Sequence, residues 1–82
     1  MKIAFENVKK GNFYVYDGKK YKELAIVLFE DEKRFCYYLL KAHSGLYGEV
    51  EARTIQFDSF YGVGDLFFDD FEEALKCFNR RK

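Results

Sequence analysis

Nucleophilic catalysis needs an activated nucleophile with a base in reach. This chain of 82 residues offers one histidine, His43, beside Ser44 in the stretch "KAHSG". Successive side chains of an extended segment point to opposite sides, so adjacency alone does not make them a dyad. Cys36 and Cys77 stand far apart and neither has a second ligand nearby. One His and two scattered Cys do not supply a closed zinc site, and "DSFYGVGDLFFDD" has acids without the spacing of a calcium loop. "GVG" before Asp65 lacks the lysine and hydroxyl of a phosphate loop. The remaining chemical constellation is acidic. Asp65, Asp69, Asp70, Glu72 and Glu73 crowd a short span, and carboxylate pairs perform acid–base work in hydrolases. Most of them are also where a helix start wants acids, so no catalytic residue, cofactor or metal is expected.

A second constellation is "NFYVYDGKKY", residues 12–21, in which rings alternate with lysines around Asp17-Gly18. Rings in a positive groove stack single-stranded bases at about 1–3 kcal/mol per base. Asp-Gly is also a strong hairpin signal, because a type I′ turn needs positive φ at both central positions. That turn predicts Tyr16 opposite Lys19, Tyr14 opposite Tyr21 and Phe13 opposite Lys22. Tyr14, Tyr16, Lys19 and Tyr21 would then share one face, with Lys20 and Lys22 on the other. The same tyrosines could equally lie beneath a helix or stabilise the hairpin as cross-strand pairs.

The elements that must position these residues follow from periodicity. "KIAFENV" fits a short edge strand. Residues 21–40 fit a helical stripe almost as well as two strands, but the upstream turn, Ile26-Val27 and the Phe/Tyr content favour strands, with "EDEKR" as the tip. "HSGLYG" and "YGVGD" read as loops. "EVEARTIQF" alternates, with Val50 and Ala52 opposite Glu49, Glu51 and Arg53; Ile55 and Phe57 then fall on the charged parity, which predicts a bulge near Arg53-Thr54. "DDFEEALKCFNRRK" is the clearest helix: Asp70 and Glu73 have capping-box spacing, Phe71, Ala74, Leu75 and Phe78 form an apolar stripe, and basic residues close it. The expected fold is α+β: one domain, a small curved antiparallel sheet of three to five strands over roughly 2–60, and a C-terminal helix over roughly 69–80. The opening "GNFYVYDGKKYKELAIV" is loosely similar to the start of an SH3-like barrel, so a tightly curved sheet would approach that form.

Ten Phe and seven Tyr supply the core, with no Trp and no Pro. Each buried ring removes about 150–250 Å² from water, enough for a small domain to fold without disulfides or metal. No apolar run is long enough for a signal peptide or a membrane span, so a cytoplasmic protein with buried thiols is expected. Net charge is zero but polarised: residues 1–22 carry six lysines and two acids, whereas residues 49–73 carry eight acids and only Arg53. A nucleic-acid footprint wants net basicity. A charged protein partner, or a homodimer through opposite poles, suits the pattern better. The expectation is a non-enzymatic protein-interaction module, a small inhibitor or regulator of the kind mobile elements carry, touching its partner through Asp65, Asp69, Asp70, Glu72 and Glu73 and the tip residues Asp17, Lys19 and Lys20. A single-stranded nucleic-acid binder using Tyr14, Tyr16, Lys19 and Tyr21 is the alternative, and a small carboxylate-pair enzyme the third reading.

Overall fold

The computed structural model describes residues 1–30, 34–46, 48–58 and 65–80. Its elements are β1 (Lys2–Ile3), a 3-10 turn (Phe5–Asn7), β2 (Phe13–Asp17), β3 (Tyr21–Glu30), β4 (Phe35–Ser44), β5 (Gly48–Asp58), β6 (Asp65–Phe68) and α1 (Phe71–Asn79). The strands form one antiparallel sheet in the order β1-β6-β2-β3-β4-β5. Residues 21–40 are thus two long strands; residues 31–33 of the expected tip lie outside the described residues. The fold is α+β as expected, with two corrections. Among the described residues there are six strands rather than three to five, and the sheet stays open, with β1 and β5 at its edges, instead of closing as an SH3-like barrel. The extra strand is β6, where "LFF" is too short to show a period. It is held between β1 and β2 by its neighbours, with Phe67 opposite both Ile3 and Tyr14.

The β2–β3 turn is also corrected. Asp17 pairs with Lys22 and Tyr16 with Glu23, and the Gly18 amide donates to the Tyr21 carbonyl at 3.1 Å. Lys19 and Lys20 therefore occupy the bend, and Gly18 does not have positive φ. Its role is clearance: a Cβ there would lie 2.7 Å from Cε2 of Tyr16 and 2.8 Å from the Tyr21 carbonyl oxygen. The register moves by an even number of residues, so Tyr14, Tyr16 and Tyr21 still share one face.

Burial divides the sheet into two cores. On the inner face Tyr14, Ala25, Val27, Phe35, Tyr37, Leu39 and Phe67 pack together beneath Val8 and Phe5 of the N-terminal segment. On the outer face Val15, Leu24 and Phe68 receive Ala74 and Phe78 of α1. Tyr14 and Tyr16 therefore pack on the side of the N-terminal segment and not under the helix. Ring contacts such as Tyr14–Phe35 and Tyr14–Tyr37, with centroids 5.0 and 4.8 Å apart, knit the inner core, each contributing about 0.5–1.5 kcal/mol beyond burial.

Bulges curl the sheet. Between the pairs Ala25–Leu39–Thr54 and Glu23–Ala42–Val50, β3 contributes Leu24 alone, β4 Leu40 and Lys41, and β5 Glu51, Ala52 and Arg53. Each extra residue bends its strand and increases the local twist, and a further register shift lies between Val27 and Phe29 of β3.

The helix begins where expected. The Asp70 side chain accepts from the Glu73 amide at 3.2 Å, and Ala74 and Phe78 are buried. Phe71 reaches back to stack edge-on with Phe13, centroids 5.3 Å apart.

Candidate protein-binding interface

The structure spreads the acidic run over several tasks. Asp65, on β6, accepts the Tyr14 hydroxyl at 2.8 Å. Asp70 is the helix cap. Asp69 accepts the Met1 amino group at 2.5 Å, and Glu73 takes the same group; this contact holds the Asp69 carboxyl below its usual range and lifts the amine above its own. Glu72 is exposed on the first turn. At the other end of the molecule Asp17 is nearly buried, with Arg80 Nη2 at 3.1 Å and Lys22 Nζ at 3.7 Å. Lys22 also donates to the Phe78 carbonyl at 3.4 Å and to that of Arg80, placing a cation at the negative end of α1. Asp17 thereby locks the hairpin to the helix. Lys19 and Lys20 are exposed at the tip and border a cleft of about 360 Å³ that Tyr21, His43, Glu49 and Arg80 also line.

The tyrosine ladder is largely spent inside the fold. Tyr14 is 1% exposed, Tyr16 is half-buried, and Tyr21 alone is open to solvent. The hydroxyls of Tyr14 and Tyr21 serve carboxylates. Glu23, only 8% exposed, accepts from Tyr21 at 2.8 Å and from Tyr37 at 3.3 Å, which satisfies a charge that burial would otherwise penalise. Burial, with Glu23 as acceptor, pushes the Tyr21 phenol up to about 12. Burial and the Asp65 acceptor push Tyr14 up as well. The network is invisible in sequence because Glu23 reads as an ordinary strand charge beside Lys22 in "YKELA".

His43 lies in β4 rather than in a loop and is exposed opposite Lys22. Cys36 and Cys77 are free thiols, the first buried and the second half-buried; burial pushes the Cys77 thiol up. Among the described residues no group of His, Cys, Asp and Glu is arranged to hold a metal, and no helix is long and apolar enough to cross a membrane.

Among the described residues the long sheet edge is β5; the other edge, β1, has two residues. The inner edge of β5 pairs with β4 from Ser44–Gly48 to Phe35–Asp58, and among the described residues no strand pairs with its outer edge. Tyr37 and Leu39 belong to the inner core and pair with Gln56 and Thr54. Val50, Ala52, Thr54 and Gln56 therefore face inward, and Glu49, Glu51, Arg53 and Ile55 outward. The predicted register shift is present near Arg53, yet it does not turn Ile55 inward: the compensating extra residue of β4 preserves the alternation along β5. Ile55 is left 61% exposed among charges, and Val50 49% exposed at the rim of the inner face. The sequence signal for this surface is the apolar residue on the charged parity.

No family model matches the chain, and neither a curated protein nor a solved structure matches it.

Proposed function

We propose that the chain is a non-enzymatic protein-binding module, an inhibitor or regulator, that takes a partner strand along the open edge of β5. One observation carries the reading: an 11-residue edge strand whose backbone donors and acceptors on one side have no neighbouring strand among the described residues. Such an edge is a template for another chain, because main-chain hydrogen bonds supply affinity and alternating side chains supply specificity. Folded proteins usually blunt edges with lysine, proline or a short strand. β5 carries charges and a bulge at Ala52-Arg53, but it is long, has no lysine or proline, and presents Val50 and Ile55. Glu49 and Glu51 give the edge an acidic character, the same property that the charge pattern attributes to the partner-facing surface.

A photo-crosslinking residue at Ile55 tests this, with one at Lys76 on α1 as the control. Capture of a protein from Ile55 that is absent from Lys76 is the expected result. Equal capture from both, or none from Ile55, would remove β5 as the binding edge.

A further inference from the structure

We infer that the strand β5 takes is β5 of a second copy, in the register that sets Ala52 opposite Ala52. This rests on the strand-addition reading above and names its occupant.

Two identical antiparallel edge strands join about a two-fold axis perpendicular to the sheet, which makes an isologous contact. That axis keeps inner faces with inner faces, so outward residues oppose only outward residues and registers differ by steps of two. The outward row of β5 is Glu49, Glu51, Arg53, Ile55, and its charges choose among these registers. With Ala52 on the axis, Glu51 of each copy lies opposite Arg53 of the other. Sliding by one step puts Arg53 against Arg53; sliding the other way keeps two opposite-charge pairs, Glu49 with Arg53, but adds Glu51 against Glu51. Opposite charges directly across an antiparallel pair stabilise it and like charges destabilise it, so one register is favoured over both neighbours.

The rest of the strand agrees with this choice. Within one chain Arg53 Nη2 already stands 3.9 Å from Glu51 Oε2, so the paired copies close an alternating ring of four charges. On the inner face Val50 falls opposite Thr54, two β-branched residues suited to cross-strand packing, and Ala52, which packs on the inner core, meets its own copy. Exposed Ile55 is set against the stem of Glu49. The two sheets become one, and the long open edge disappears from both.

Sedimentation velocity over a range of concentrations, with charge reversals, tests the inference. The unaltered chain is expected to dimerise. Arg53→Glu sets a second carboxylate opposite Glu51 and should weaken the dimer about tenfold, as should Glu51→Lys; Glu51→Lys combined with Arg53→Glu inverts the pair and should restore it. Both side chains are more than 70% exposed, and circular dichroism checks that each variant is folded. A monomer at every concentration overturns the inference, as does a dimer that ignores the single reversals or is not recovered by the double one. If the chain is monomeric yet Ile55 still crosslinks a different protein, strand addition stands with another occupant; if Ile55 captures nothing, both fall.

Discussion

Phe35 on β4 and Phe67 on β6 meet edge to face with ring centroids 5.2 Å apart, although β2 and β3 lie between their strands. In a flat sheet those strands would be roughly 14 Å apart. The contact therefore depends on curvature of the sheet, and Phe35, fully buried, fills the space that the curvature encloses. Phe35→Ala should cost about 3–5 kcal/mol in denaturant unfolding. Ile55→Ala, on the open face, should change stability by less than about 0.5 kcal/mol.

Gly18 gives a test of the corrected turn. If it occupied a left-handed position, asparagine would serve nearly as well. Because it instead makes room for the Tyr16 ring and the Tyr21 carbonyl, Gly18→Asn and Gly18→Ala should both destabilise, each by about 1–3 kcal/mol as an overpacked site. Thermal melts of the two variants decide between the alternatives.

Alkaline pH should loosen the fold at the tyrosine network. Tyr21 is pushed from the ordinary 10.0 to about 12, and Tyr14 is raised as well. The folded chain then keeps protons that the unfolded chain releases, so this stabilisation is complete below about pH 10 and is lost as pH rises toward 12. Urea midpoints should fall across that window. Tyr21→Phe should flatten part of the fall and remove one late step from the phenolate absorbance titration.

Asp17 joins the hairpin to the C-terminus of α1. Asp17→Ala removes the carboxylate that Lys22 and Arg80 approach and should cost about 1.5–3 kcal/mol, the range for hydrogen bonds to charged groups. Arg80→Ala should cost under about 1 kcal/mol, since its side chain is mostly exposed and screened. Unfolding at low and high salt separates the two: the Arg80 effect should fade with salt, the Asp17 effect only in part.

Signals are legible along the chain where local chemistry decides structure. The Asp70 cap and the Ala74–Phe78 stripe mark the helix within a residue or two. The shared face of Tyr14, Tyr16 and Tyr21 survives the change of turn because strand alternation depends only on parity. β6 escapes a sequence reading because a four-residue strand has no period of its own and is held by Ile3, Tyr14 and Val15 from distant segments. The candidate interface is half visible, in an isoleucine on a charged parity. Its meaning is hidden because a bulge on one strand can be offset by a bulge on the next.

Composition and periodicity suffice for an aromatic-cored α+β domain with a capped C-terminal helix, since caps, turns and alternation act over a few residues. Which rings are free, which carboxylates are spent on tyrosines and amines, and which strand lies at the edge emerge only when the chain is folded. Those outcomes are set by pairing between segments far apart in the chain, where each strand's cover depends on its neighbours and not on its own residues.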